Sequence, residues 1–197
     1  KLYLNKGNFN FEDITEIAGI AGTKSWSTGV SLVDINADGF LDIYVSNSGD
    51  IKGDNKQNEL FINNGNLTFT EMASEYGLDD TGYSTHAAFF DYDRDGDLDC
   101  YLLNNSYKGG FRITNVGRNQ RPIRDSVGGD KLFRNDDGFF KDISEEAGIY
   151  GSVIGFGLGV TVGDVNNDGW MDIYVSNDFF ERDYLYINNQ DLSLIHI

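Results

Sequence analysis

The sequence has little of several features that would otherwise define its class. It contains one cysteine and one proline, which excludes an internal disulfide framework. No run of eighteen apolar residues occurs, so we expect no membrane-spanning helix and no insertion into a membrane. Lysine and arginine number 15 against 32 acidic residues, which gives a net charge of −17. This charge argues against nucleic acid and anionic membranes as partners and favours cations.

The remaining composition is that of a folded domain. The chain has 197 residues, of which 40% are hydrophobic and 14% aromatic, so it can bury a core. Its 24 glycines, combined with many aromatic residues, favour short strands joined by tight turns.

The chain is an internal repeat. The opening stretch KLYLNKGNFNFEDITEIAGI (1–20) recurs as NELFINNGNLTFTEMASEYGL (58–78) and as DKLFRNDDGFFKDISEEAGI (130–149). The predicted units are 1–57, 58–129 with a basic insertion at 108–129, 130–182, and the start of a fourth at 183–191.

Both ends of the chain indicate a fragment. The chain begins at Lys1, already inside a strand-like pattern. The last six residues, LSLIHI (192–197), break the repeat and resemble the translation of a transposon-derived sequencing adapter. We therefore expect a non-native tail and expect the remaining repeats of the protein to lie outside this chain.

Within each unit the hydrophobic pattern predicts strands. In LDIYVSN (41–47), residues Leu41, Ile43 and Val45 alternate with polar or amphipathic residues, and LDCYLLN (98–104) and MDIYVSN (171–177) repeat the pattern. Four short strands per unit predict an all-β fold, a β-propeller fragment of about three four-stranded blades. The alternative, a β-helix or β-solenoid, usually has shorter repeats.

Each unit also carries one acidic loop, namely DINADGFLD (34–42), DYDRDGDLD (91–99) and DVNNDGWMD (164–172). We call these loops 1, 2 and 3. Positions 1, 3, 5 and 9 always hold an oxygen-bearing side chain, and position 6 is always glycine. Calcium takes six to eight oxygen ligands, and alternate residues of a tight loop can supply them. The predicted ligands, including a backbone carbonyl at position 7, are Asp34, Asn36, Asp38, Phe40 and Asp42; Asp91, Asp93, Asp95, Asp97 and Asp99; and Asp164, Asn166, Asp168, Trp170 and Asp172.

Alternatives to calcium fit less well. An EF-hand needs Glu at position 12, where this chain has Val45, Leu102 and Val175. Magnesium prefers to keep several waters. A merely solvated acidic turn does not account for three copies at one spacing. The sequence thus predicts about three Ca²⁺ ions, one per loop. Binding is expected to be tightest in loop 2, which has the most carboxylates.

Other residues are weaker candidates. His86 aligns with glycines in the other units and is a candidate for lining a channel or ligand pocket, although a structural role is the commoner one. The insertion is locally basic, and we consider Arg112, Arg118, Arg121 and Arg124 as a binding surface for an acidic glycan or partner carboxylates. The alternative is that the insertion packs against the acidic body of the propeller.

Two further residues are predicted to be core. Cys100 replaces an isoleucine of the other units. Trp26 stands eight residues before loop 1, where the other units have Tyr83 and Phe156. Trp170 is a candidate for stacking on a sugar ring.

The repeated motifs and acidic loops of the chain resemble the FG-GAP/VCBS repeats of integrin-α-like β-propellers and bacterial surface proteins. The phrases LYLNKG, FEDITEIAGI and LDIYVSN are similar to the group that often carries an ASPIC/UnbV domain, including the cartilage acidic protein relatives. The resemblance covers nearly all of residues 1–191. It implies a closed propeller of usually about seven blades, with calcium in its loops, that is secreted, displayed on a cell surface or periplasmic.

The first functional hypothesis is a calcium-binding extracellular module for adhesion or for protein or carbohydrate recognition, with calcium mainly structural. The alternative is a non-catalytic scaffold, or the propeller part of a secreted polysaccharide-active enzyme. No Ser/His/Asp set, paired catalytic carboxylates or zinc-ligand spacing stands out, so we do not expect an enzyme.

Overall fold

The computed structural model describes residues 1–49, 55–105, 120–178 and 181–196. The strands in these ranges are β1 (Tyr3–Asn5), β2 (Phe11–Asp13), β3 (Ser27–Val33), β4 (Asp42–Asn47), β5 (Glu59–Asn63), β6 (Phe69–Glu71), β7 (Ser84–Phe90), β8 (Asp99–Asn104), β9 (Lys131–Asp136), β10 (Phe139–Asp142), β11 (Gly157–Gly163), β12 (Asp172–Asn177), β13 (Tyr184–Asn188) and β14 (Leu194–His196). Two helical turns, α1 (Thr15–Ala18) and α2 (Ala73–Tyr76), follow β2 and β6.

The strands form three four-stranded antiparallel sheets, in the orders β3-β4-β5-β6, β7-β8-β9-β10 and β11-β12-β13-β14. We call them blades 1, 2 and 3. The first strands of the blades lie together, since β7 contacts both β3 and β11. The blades therefore radiate from one inner edge, as in a propeller, and the predicted all-β fold of about three four-stranded blades is confirmed.

The blades are out of phase with the sequence units. Each unit begins with two strands that form the outer pair of the preceding blade, so β1 and β2 correspond to β5 and β6 and make a two-stranded sheet by themselves. The predicted unit boundaries therefore mark the sequence repeat and do not coincide with the ends of the four-stranded sheets. Residues 194–196 of the predicted tail pair with β13, with His196 opposite Tyr186. The non-native origin of that tail stays a prediction.

The core lies between successive blades. Leu60 of blade 1 packs in one cluster with Leu102 and Phe133 of blade 2. Tyr101 of blade 2 packs in a second cluster with Ile173 of blade 3. Each inner face thus buries its apolar residues against the next blade, which ties the stability of one repeat to its neighbour.

The structure agrees with one of the two core predictions and corrects the other. Cys100 is fully buried. Trp26, however, is 68% exposed, so its assignment to the core is wrong. Its counterparts Tyr83 and Phe156 are half-buried, because Lys56 of blade 1 lies over the Tyr83 ring and Asn105 of blade 2 bridges to Phe156.

Candidate metal-binding loops

The three acidic loops share one backbone conformation. Each joins the first strand of a blade to the second, so all three lie at the same end of the blades. The glycine at position 6 has a φ of 89°, 100° and 88° in Gly39, Gly96 and Gly169. The residue at position 4 is also left-handed, with a φ of 56°, 63° and 61° in Ala37, Arg94 and Asn167. Glycine adopts this conformation without steric cost, which explains why position 6 never varies among the three loops.

The aspartate at position 9 ties each loop to the third strand of its blade. In loop 1, Asp42 is fully buried and its carboxylate accepts hydrogen bonds from the amides of Ile35 (3.0 Å) and Asn63 (2.7 Å). Loops 2 and 3 repeat this arrangement. The corresponding bonds join Asp99 to the amides of Tyr92 (2.6 Å) and Asn135 (2.9 Å), and Asp172 to those of Val165 and Asn188 (both 2.9 Å). The residue expected only to close a metal site therefore also has a structural role.

Sequence reasoning missed an asparagine in the last two residues of each third strand. Besides donating its amide to the aspartate, each of these asparagines donates its side-chain Nδ2 to the carbonyl at loop position 8. These bonds run from Asn63 to Leu41 (3.0 Å), from Asn135 to Leu98 (3.3 Å) and from Asn188 to Met171 (3.4 Å). The signal was present in the repeated phrases LFIN, LFRN and LYIN.

Loops 1 and 3 are closed by their own hydrogen bonds. In loop 1, the carboxylate of Asp34 accepts from the amides of Asp38 (3.0 Å) and Gly39 (2.9 Å). In loop 3, Asp164 accepts from Asp168 (3.0 Å) and Gly169 (2.8 Å) in the same way. The position-1 carboxylate, a predicted metal ligand, therefore already has two backbone partners in both loops.

Loop 2 is arranged differently. Carboxylate oxygens of Asp91, Asp93 and Asp99 all lie within 4.8 Å of one another. In the described ranges this is the single group of three or more such residues that could hold a metal ion. One oxygen of Asp91 and one of Asp97 are buried without a hydrogen-bond partner among those residues. Loop 2 thus gathers carboxylates that the described part of the chain leaves partly unsatisfied.

The electrostatics of loop 2 reflect this crowding. Burial, followed by the charges of Asp95, Asp93 and Asp91, raises the pKa of Asp97 to about 6. Burial raises the pKa of Asp99 to about 7, although its two backbone hydrogen bonds act in the opposite direction. In loop 3, by contrast, the hydrogen bond from the Trp170 amide is the main cause of a lowered pKa of Asp168. A divalent cation would relieve the repulsion in loop 2.

The side chains at position 7 differ among the loops. Phe40 is 48% exposed and its ring lies against Gly65. Trp170 is half-buried, and the guanidinium of Arg94 lies 5.4 Å from the centre of its ring. Arg94 thus reaches from loop 2 to loop 3 and covers part of the surface proposed for sugar stacking. Asp97, expected to point outward, has a buried side-chain oxygen.

The other candidates lie away from these loops. His86 is half-buried on β7, paired with Leu103 of β8. Arg112 and Arg118 lie outside the described residues. Arg121 forms an ion pair with the buried Glu181 (2.9 Å), and Arg124 donates to backbone carbonyls. These contacts of the two described arginines match the alternative in which the insertion packs on the body of the propeller, while a ligand-binding role stays a prediction.

The three blades and their repeated loops place this chain in the class of repeat β-propellers. The family described as FG-GAP-like repeat matches residues 1–45, 48–102 and 123–175. Because these segments cover well over half of the chain, the chain belongs to the FG-GAP-like repeat family, as its motifs predicted.

Curated relatives share this pattern. The chain is 28% identical over 182 residues to cartilage acidic protein 1 of Xenopus tropicalis, which covers 89% of this chain and 24% of that protein. It is 28% identical over 179 residues to cartilage acidic protein 1 of Mus musculus, with the same coverage of 89% and 24%. The predicted similarity to this group is confirmed. The chain spans about a quarter of the length of these relatives.

A solved structure resembles the whole chain at low identity. It is that of a lectin from Agrocybe aegerita, described as recognising non-reducing terminal N-acetylglucosamine. The TM-score is 0.49 at 18% identity, and the match covers 98% of this chain and 44% of the lectin. At this distance no ligand is transferred to the present chain. In the described residues, neither helix has the length and apolar character needed to cross a membrane.

Proposed function

We propose that this chain is part of a calcium-binding propeller module that recognises protein or carbohydrate outside the cell, with calcium acting mainly as a structural ion. The observation that carries the proposal is the convergence of Asp91, Asp93 and Asp99 in loop 2, beside buried oxygens that have no partner among the described residues.

The residues present fit such an ion. Calcium–oxygen distances are about 2.3–2.6 Å, so two ligands on opposite sides of one ion lie roughly 5 Å apart. The 4.8 Å limit that encloses the three carboxylate oxygens is of this size. Leaving buried polar oxygens unsatisfied costs free energy, and a hard cation would remove that cost. In loop 2 the ion would be held by Asp91, Asp93, Asp95 and Asp99, with the carbonyl of Asp97.

Loops 1 and 3 would bind more weakly. There the carboxylates of Asp34 and Asp164 already accept two amide hydrogen bonds, one on each oxygen, so a bound ion would share these oxygens. Each of these loops also offers three carboxylates, since position 3 is Asn36 or Asn166. The geometry therefore supports the ranking expected from the sequence, in which loop 2 has the highest affinity.

An extracellular role is consistent with such sites. Calcium sites of extracellular modules have dissociation constants of about 10⁻⁴–10⁻³ M, which suits an exterior rich in calcium. Similarity to cartilage acidic protein 1 and the net charge of −17 support placing the protein there. Bound calcium would stabilise the folded loops by linkage, because the unfolded chain lacks the site.

Calorimetric titration of the intact protein with CaCl₂ tests the proposal. We expect Asp93→Asn to weaken the tightest site by about tenfold or more, since it removes one charged ligand. The matched variant Asp168→Asn in loop 3 should leave that site unchanged. If titration of the wild-type protein neither released nor absorbed heat and EDTA did not shift its melting temperature, calcium binding would be excluded. Glycan-array binding measured with and without chelator tests the recognition role separately.

A further inference from the structure

Loop 2 contacts blade 3 through the residues that lie between its predicted metal ligands. Position 2 is Tyr92, which is fully buried and packs in one cluster with Ile173 and Tyr186 of blade 3. Position 4 is Arg94, whose guanidinium lies 5.4 Å from the centre of the Trp170 ring in loop 3. Positions 1 and 3 of loop 2 thus supply carboxylates to the candidate site, whereas positions 2 and 4 supply contacts with the next blade.

A buried asparagine of blade 3 also holds the backbone of loop 2. Asn188 ends β13 and is 2% exposed, and its Nδ2 donates to the carbonyl of Tyr92 at 3.0 Å. The same nitrogen lies 3.4 Å from the carbonyl of Met171 in its own blade, which is the longer of the two contacts. The carbonyl of Tyr92 belongs to the peptide that links this residue to Asp93. The bond from Asn188 therefore restrains the chain between the predicted ligands Asp91 and Asp93.

The corresponding junction between blades 1 and 2 lacks these two contacts. Position 4 of loop 1 is Ala37, whose side chain ends at Cβ and cannot extend to the next blade. Asn135 is the counterpart of Asn188 in blade 2, and its Nδ2 donates to the carbonyl of Leu98 in its own blade (3.3 Å). Within the described ranges Asn135 makes no hydrogen bond to loop 1. The carboxylates converge in loop 2, where the next blade holds the loop, and the position-1 carboxylate of loop 1 accepts its own amides instead.

We propose that blade 3 completes the metal site of loop 2, with Asn188 as a positioning residue that holds loop 2 in the conformation that binds calcium. This inference rests on the calcium site proposed above for loop 2. Asn188 donates a neutral N–H group to a carbonyl, so it acts on the loop backbone and is not itself a ligand. Linkage makes the effect reciprocal, because calcium in loop 2 strengthens the contact with blade 3 by the factor by which that contact strengthens calcium binding.

The size of the effect follows from the lost hydrogen bond. Without Asn188, the peptide between Tyr92 and Asp93 gains freedom, and the carbonyl of Tyr92 loses this donor. Part of the free energy of calcium binding then offsets the cost of ordering the loop. The net contribution of one hydrogen bond corresponds to a change of about fivefold in a binding constant.

Calorimetric titration of the intact protein with CaCl₂ tests the inference with neutral substitutions. Arg94 is unsuitable for this purpose, because removal of its positive charge would by itself favour cation binding. We expect Asn188→Ala to weaken the calcium site that Asp93→Asn identifies as loop 2 by about fivefold. The matched control Asn63→Ala removes the bond from Asn63 to the carbonyl of Leu41 within blade 1, and should leave that site unchanged.

Hydrogen exchange measured by mass spectrometry gives the reciprocal readout, which a merely structural role of Asn188 would not change. Calcium that fills loop 2 should slow exchange of the β13 amides by a factor about fivefold larger in the wild-type protein than in Asn188→Ala. Trp170→Leu is a second neutral variant, which removes the ring beneath Arg94 and should weaken the same site about threefold. Its matched control, Phe40→Leu at position 7 of loop 1, should not.

Two outcomes would overturn the role of blade 3 and leave the calcium site itself intact. One is an unchanged loop 2 affinity in Asn188→Ala, and the other is an equal loss of affinity in Asn63→Ala. If Asn188→Ala lost its near-ultraviolet circular dichroism, Trp170→Leu would decide alone, and an unchanged affinity in that variant would contradict the inference. A wild-type protein that bound no calcium would instead overturn the proposed function together with the inference.

Discussion

Removing the carboxylate of Asp42 should destabilise the protein even when no calcium is available. Its two oxygens accept the amides of Ile35 (3.0 Å) and Asn63 (2.7 Å), and the side chain is fully buried. Asp42→Ala leaves the N–H groups of the buried Ile35 and the half-buried Asn63 without an acceptor, at about 1–3 kcal/mol each. Burial also raises the pKa of Asp42, which means that its buried charge is itself unfavourable. Removing that charge therefore offsets part of the lost stability. The expected net loss is about 2–4 kcal/mol, a large fraction of a typical total of 5–15 kcal/mol.

Urea unfolding of the intact protein in EDTA measures this loss without any contribution from metal. The control is Asp38→Ala in the same loop, which removes an exposed acceptor of the Phe40 amide (2.8 Å) and should cost less than about 1 kcal/mol. Asp42→Asn keeps one acceptor oxygen and should fall between the two. Equal stability of Asp42→Ala and Asp38→Ala in EDTA would refute the structural role of position 9 and leave metal ligation as its only role.

Two further predictions concern single contacts. Lys131→Met should lower the free energy of unfolding by about 3–5 kcal/mol, because it leaves the carboxylate of Asp80 buried without its cation. The control Lys6→Met removes a partner of an exposed ion pair and should change the free energy of unfolding by less than about 1 kcal/mol. An added Cβ meets open space at both Gly39 and Gly163, so the two glycines differ in their backbone conformation. Gly39→Ala should lower the free energy of unfolding by about 1–2 kcal/mol, because φ is 89° there. Gly163→Ala should be nearly neutral. Thermal or urea unfolding checks both pairs, and equal effects within either pair would contradict the reasoning.

Much of the architecture was determined by the sequence alone. Period-two alternation in 41–47, 98–104 and 171–177 specifies half-buried strands, because successive side chains of a strand point to opposite faces. The repetition of four such strands per unit specifies blades. The acidic loops were equally readable, since their glycine and their alternating oxygen side chains are local properties of nine consecutive residues.

Only the tertiary structure decided how these parts meet. The offset between a sequence repeat and a blade depends on which strands pair with each other. Similarity between the repeats does not show this pairing. Loop 2 differs from loops 1 and 3 because carboxylate oxygens of Asp91, Asp93 and Asp99 converge, whereas the position-1 carboxylates of loops 1 and 3 accept amides of their own loops. Trp26 is 68% exposed, although its counterparts Tyr83 and Phe156 are half-buried. Arg124 reaches the carbonyl of Ile149 because the end of the insertion lies against the segment that leads into blade 3. The strand pairing and the contact of Arg124 with Ile149 join residues distant in sequence, whereas the convergence in loop 2 depends on how nine consecutive residues fold. Neither follows from the residue pattern alone.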